Sequence, residues 1–392
     1  MSLTAAWSVA GMTDKPLFLF GTLRYPPVLE AVAGVRLDYE PATLSDHAVT
    51  EAQAPGGGTL HFPLLVARPG AEAPGALIRP GAAARAALDL YERIFEYHPV
   101  QVIAQTAGGP VEALLYQTAD EHWLPGPDWS LDAWAAAHGG LAAEVAAEVM
   151  ALSREHPAAV LRRRYPLLAG HVASRRRARN DAAPATRRRA ARPGDVTVEE
   201  RRTPYAMVFA VEENRVRFRH HDGTDSAPVE RAAFVLTDAV TLLPYDPTRD
   251  LVLLVEQFRF APFVRDDANP WTLEAIAGRI DAGETPEAAA RREAAEEAGL
   301  EIRALHRVAR YYSSPGAVAE FLYSYLALVD LPEGAEGIHG LPSEHEDIRT
   351  HLIPFAEAMA MLETGEIANG PLVISLQWLA LNRARLRGAQ SA

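Results

Sequence analysis

The chain has 392 residues, of which 48% are apolar and 23% charged, with a formal net charge of −13 and no cysteine. That length suits two hydrophobic cores rather than one, and the composition is that of a folded chain rather than a disordered one. Without cysteine there is no disulfide, no zinc–thiolate site and no thiol nucleophile, and no run of eighteen apolar residues is present to span a bilayer as a helix.

The opening MSLTAAWSVAGMTDK has no basic start and only a short apolar stretch, so it reads poorly as a signal peptide. Met12 is an alternative start, and the cytoplasm is the expected compartment. Residues 16–24, PLFLFGTLR, form an apolar run of strand length that ends in Gly21-Thr22-Leu23-Arg24. A glycine at such a strand end frees successive backbone N–H groups to form an anion-binding nest. A Pro-Pro turn and a helix-like apolar segment follow. ARAALDLYERIFEYHPVQV (84–102) predicts a helix ending near residues 91–93, then a strand. From 129 to about 174, apolar residues at three- and four-residue spacing predict a helical extension.

Residues 175–195 are rich in Arg, Ala and Pro, carry no apolar period and read as a linker. Eleven arginines fall between Arg162 and Arg192 against one acid, Asp181. Such a block could bind nucleic acid, but only Tyr165 accompanies it as an aromatic platform, so a basic linker against acidic flanks is the preferred reading.

A second domain is expected from 196. Alternating strands are joined at Asp-Gly and at Asp-Pro-Thr-Arg-Asp turns, and residues 271–277 form a strand that delivers Gly278. The next 23 residues, GRIDAGETPEAAARREAAEEAGL (278–300), organise the whole half. Thr285 is a hydroxyl N-cap, Pro286 suits the first turn, and Gly299 stops the Ala/Glu/Arg run. Helical spacing puts Glu293, Glu296 and Glu297 on one face and lets Arg292 pair with Glu296. Closely spaced carboxylates of this kind hold hard divalent cations. Residues 304–331 read as two strands around Ser-Pro-Gly, and 354–364 and 371–387 as closing helices.

Gly278, Glu284, Arg292, Glu293, Glu296, Glu297, Gly299 and Leu300 stand at the spacing G-x5-E-x7-R-E-U-x-E-E-x-G-U, with Ala294 at the first aliphatic position. This segment resembles the box of the Nudix hydrolases. The resemblance implies an α/β/α sandwich in which Glu293, Glu297 and the carbonyl of Ala277 bind Mg2+, with Glu296 beside them and Mn2+ as a substitute.

Outside the box, LLPYDPTRD, LVEQFR, SSPG, GIHGLPSEHEDIR (337–349) and ISLQWL (374–379) resemble, in content and order, the bacterial ADP-ribose pyrophosphatases. Pro315 lies where that subgroup has its marker proline. The resemblance implies hydrolysis of ADP-ribose to AMP and ribose 5-phosphate. It implies Glu344 as the base that takes the proton of the attacking water, with Glu346 as second choice. It also implies substrate contacts from Arg231 and Arg259 and stacking of Phe209 on adenine. The family forms dimers by exchanging N-terminal strands, which implies a homodimer in which Phe209 and Arg231 serve the partner's site. Another nucleotide sugar such as GDP-mannose, or a nucleotide sensor without turnover, are the alternatives.

The first half is similar to the gamma-glutamylcyclotransferase-like (AIG2-like) fold, a small mixed β-barrel. Gly21, Thr22 and Leu23 match the strand end that holds the substrate's charged end, and Glu92 in LDLYE matches the acid/base glutamate. Phe20 replaces that motif's tyrosine and Arg93 its glycine, which leaves activity in this half open. The expected fold class is therefore α/β (α+β), with a barrel at 13–128, a helical extension and linker at 129–195, and the Nudix sandwich at 196–392. A fusion of this kind resembles bacterial Nudix proteins linked to tellurite resistance, although no residue here offers a route to tellurium chemistry.

Overall fold

A computed structural model describes residues 15–56, 58–118, 123–181, 183–332, 334–340 and 347–388, and the chain divides into two units. One runs to Val172 and includes 206–208; the other holds 173–205 and everything from Phe209 onward.

In the first unit, β1 (Leu17–Leu19) is followed by α1 (Pro26–Ala33), β2 (Tyr39–Gln53), β3 (Thr59–Ile78), α2 (Ala82–Ile94), β4 (Tyr97–Thr106), β5 (Gly109–Thr118) and β6 (Leu124–Asp128). The strands lie in the order β3-β1-β5-β4-β2-β6, and the additional pairing of β2 with β3 closes five of them into a barrel. The sequence expectation of a strand over 16–24 is corrected in length: the ladder stops at Leu19, and residues Thr22–Arg24 form a 3-10 turn. The reason is local, since Arg24 N–H bonds back to the Gly21 carbonyl and draws the chain off the sheet.

Helices α3 (Leu131–Trp134), α4 (Gly140–Leu152) and α5 (Ala158–Asn180) follow. Trp134, Val145, Val149, Leu161 and Leu168 join Leu17, Phe18, Leu88 and Leu114 in one core, so the helical extension completes the interior of the barrel unit. The linker expected over 175–195 begins later than its composition suggested, because α5 continues to Asn180. Part of the arginine block is neutralised within the second unit: Arg177 Nε donates to Asp238 at 3.0 Å, and Arg189 pairs with Asp195 at 2.6 Å.

The second unit opens with β7 (Val196–Ala206), β8 (Ala210–Phe218), β9 (Val229–Val235), β10 (Ala239–Asp246) and β11 (Leu251–Phe258), then α6 (Phe260–Val264), β12 (Trp271–Glu274), β13 (Ile276–Arg279) and α7 (Pro286–Ala298). It closes with β14 (Ala304–Tyr312), β15 (Val318–Ala319), β16 (Phe321–Leu328), β17 (Ile338–His339), β18 (Ile348–Pro354), α8 (Phe355–Thr364) and α9 (Gly370–Gly388). Eight strands form a mixed sheet along β14-β16-β10-β11-β18-β17, with β12 on β11 and β13 on β10; β7, β8, β9 and β15 form a separate four-stranded sheet.

Side chains alternate between the two faces of the large sheet. Val240, Leu242, Leu253 and Val255 pack with Ala289, Ala290, Ala294 and Ala298 of α7, whereas Leu243, Tyr245, Val252 and Leu254 pack with Leu372, Leu376 and Leu379 of α9. Helices on both faces make this an α/β/α sandwich. The single strand expected over 271–277 is two: β12 pairs with β11, and β13 crosses to β10 with the break at Ala275.

Candidate active site

Helix α7 begins as its sequence dictates. The Thr285 hydroxyl accepts from the Ala288 N–H at 3.2 Å, Pro286 fills the first turn, and Gly299 ends the helix in the left-handed region at φ 60. Its small alanines face the sheet, which brings the helix close and carries Glu293 and Glu297 inward at 8% and 3% exposure, while Glu296 stays exposed. The three carboxylates expected on one face therefore divide into two buried and one at the edge.

Gly278 of β13 lies against this face. A methyl group built on it would sit 1.9 Å from the Glu293 carboxyl carbon, so the absent side chain is the space that carboxylate occupies. Ala277, paired with Thr241 across the ladder, presents the neighbouring backbone.

Arg292 ties the site together. It donates to both carboxylate oxygens of Glu284 at 3.1 and 3.0 Å, to Glu293 at 2.5 Å, to Glu296 at 3.0 Å and to the Arg279 carbonyl at 2.9 Å. The Glu284 contact holds the guanidinium well above its usual pKa. Sequence spacing gives the Glu296 pair alone. The grip on Glu284 and on the Arg279 carbonyl depends on the loop folding back over the helix.

Arg259 follows β11, and its planar fork is taken bidentately by Glu274 of β12 at 3.0 and 2.7 Å. Glu274 is 5% exposed and also accepts from Thr272 at 2.6 Å. Sequence reasoning missed Glu274, although an acid four residues ahead of Gly278 in the otherwise uncharged stretch 271–277 is the signal that marks it. Arg231 lies exposed on β9 of the four-stranded sheet and donates to the Glu230 carbonyl. Phe209 packs between Tyr205 and Phe234, with ring centroids 5.2 and 5.1 Å away. Glu344 and Glu346 lie outside the described residues.

These residues fit a hard divalent cation. Glu293 and Glu297 are carboxyl side chains buried four residues apart on one helix face, Glu293 against the bare backbone of Gly278. Carboxylate oxygens of this kind are the donors that a hard divalent cation takes.

The first unit has a cavity of about 490 Å3. It brings together Gly21, Thr22 and Leu23 from the end of β1 and Glu92 from α2, which are far apart in sequence. Glu92 is half-buried in its wall, and burial pushes its carboxyl up to about 8. Burial, and then the charge of Glu92, push the Tyr97 phenol to about 12.

Comparison with known proteins assigns each half to a known pattern. The family model "NUDIX domain" matches residues 235–376, and that of "Gamma-glutamyl cyclotransferase, AIG2-like" matches 17–131. The ADP-ribose pyrophosphatase of Escherichia coli (strain K12) is 42% identical over 193 residues, which are 49% of this chain and 91% of that protein. The ADP-ribose pyrophosphatase of Haemophilus influenzae is 37% identical over 197 residues, 49% of this chain and 89% of its own. The GDP-mannose pyrophosphatase of Citrobacter koseri is 34% identical over 150 residues, 38% of this chain and 77% of its own.

Proposed function

The chain belongs to the Nudix hydrolase family, and from that premise we propose that its second unit cleaves the diphosphate of ADP-ribose to AMP and ribose 5-phosphate. The observation that carries this is the pair of buried carboxylates, Glu293 and Glu297, of which Glu293 is held by Arg292 against the bare backbone of Gly278. The likeness to the E. coli ADP-ribose pyrophosphatase is higher in identity and longer than that to the GDP-mannose enzyme, which favours ADP-ribose over GDP-mannose.

Glu293, Glu297 and the Ala277 carbonyl would hold Mg2+, with Glu296 at the exposed edge and Mn2+ able to stand in. When bound, such a cation would offset the charge on the diphosphate oxygens and make the phosphorus more electrophilic. The chain's own residues do the rest. Arg292 fixes the Glu293 carboxylate in one orientation, and Gly278 leaves room for it. Arg259, locked by Glu274, offers a positioned cation at the end of β11, and Arg231 offers a second. Glu344 takes the proton from a water that attacks the adenosyl-side phosphorus, with Glu346 as the second choice for that base. The bond from that phosphorus to the bridging oxygen breaks, and ribose 5-phosphate leaves. Phe209 stacks on the adenine. In a homodimer, Phe209 and Arg231 complete the partner's site.

Hydrolysis in 18O-labelled water tests the direction of attack. The label is expected in AMP alone; label in ribose 5-phosphate would contradict the assignment.

A further inference from the structure

The cavity of the first unit is not walled by the barrel alone. Trp134, Ala142, Arg162 and Tyr165 line it from helices that lie beyond the 17–131 stretch matched by the cyclotransferase model. Arg162 sits on α5 and forms an ion pair with Glu96, which also lines the cavity. The side chains are 44% and 58% exposed, so the pair stands at the solvent edge.

We propose that this cavity is a binding site for a small organic acid with an apolar body, whose carboxylate takes the place of Glu96 on Arg162. Arg162 is then the residue that selects for the acid group. The inference is separate from the diphosphate chemistry of the second unit and does not require that the ligand be turned over.

Three features support it. An ion pair as exposed as Arg162–Glu96 is worth little, so exchanging one carboxylate for another costs little. Among the described residues Glu96 is the one ion-pair partner of Arg162, and a guanidinium has a planar fork of donors suited to a second carboxylate. Glu96 itself has φ 64, a left-handed conformation that a residue with a side chain adopts at a cost, and such residues cluster where a ligand is handled. That conformation joins α2 to β4 so that Glu92 and Glu96 both reach the cavity.

The rest of the wall suits an apolar body. Phe20, Phe62, Phe95, Trp123, Trp134 and Tyr165 supply aromatic faces, and the volume of about 490 Å3 is that of a small-molecule pocket. Phe20 stands here in place of a phenol, which makes this end of the wall drier. Glu92, carrying its proton at neutral pH, adds a hydrogen-bond donor rather than a repelling charge.

The test is calorimetric titration of the full chain at pH 7 with 4-phenylbutyrate and with its uncharged amide, with unfolding midpoints measured for each variant. The acid is expected to bind one per chain and at least tenfold more tightly than the amide. Arg162→Gln should reduce the acid to the affinity of the amide, and Arg162→Lys should restore part of the difference. Glu96→Gln should tighten the acid several-fold and leave the amide unchanged. Should Arg162→Gln lower the unfolding midpoint, the Glu96→Gln result decides, because that variant leaves the cation in place. Equal affinities for acid and amide, a preference that survives Arg162→Gln, no gain in Glu96→Gln, or no binding of either probe would each overturn the proposal.

Discussion

Gly278 and Glu293 illustrate how closely position is specified at the scale of one residue. A Cβ on Gly278 would meet the far end of a side chain, not backbone, so the fold can yield by moving the Glu293 carboxylate. The cost of Gly278→Ala should therefore appear in rate rather than stability. A displacement of about 1 Å at a reacting centre can cost about a hundredfold; a kcat loss of that order with a nearly unchanged unfolding midpoint is expected. An equal loss in both would mean that Gly278 serves packing.

Glu92 makes the opposite kind of prediction. Its carboxyl titrates at about 8 in the folded chain against 4.5 for the ordinary group, so between those values the folded state binds more protons than the unfolded one. Stability from this group is full below about pH 4.5 and is lost as pH rises through 8. Glu92→Gln should then raise the unfolding midpoint at pH 9 and leave it unchanged at pH 4. A midpoint lowered at pH 9 would show that the charged form is stabilised instead.

Glu293 and Glu297 were legible in the sequence because helical spacing alone puts them together. Glu274 was not, since its role depends on which strand lies beside Arg259, and no local pattern carries that.

At the scale of elements, α7 was readable from end to end because its limits are set by local chemistry: a hydroxyl cap, a proline in the first turn and a glycine at the stop. The division of 271–279 into β12 and β13 was hidden, because it arises from two different partner strands, β11 and β10. The extension of α5 to Asn180 was likewise masked by an arginine-rich composition that carries no apolar period. Two substitutions on α7 separate its structural end from its chemical one. Thr285→Ala removes the cap bond and should cost about 1 kcal/mol of stability with kcat little changed. Arg292→Gln releases Glu284 and Glu293 and should lower kcat by tenfold or more, because misplaced groups cost rate steeply. Similar rates in the two variants, measured beside denaturant unfolding, would contradict this division.

Three apolar interiors, one around Leu17, Leu88 and Leu114 and one on each face of the sheet at β10 and β11, hold the two units together internally. Chain length pointed to more than one core, and the motif at 278–300 marked the half that the Nudix model matches. The E. coli ADP-ribose pyrophosphatase aligns over 91% of its own length with only 49% of this chain, and the barrel unit matches a different family model. The measurement that bears most directly on the central claim is phosphate release, through a coupled phosphatase, from ADP-ribose, GDP-mannose, NADH and ADP-glucose with Mg2+, for the full chain and for Glu297→Gln. ADP-ribose should be hydrolysed with the highest kcat/KM, and the activity should vanish in the variant. A folded chain that prefers GDP-mannose, or that releases phosphate from none of the four, would contradict the account.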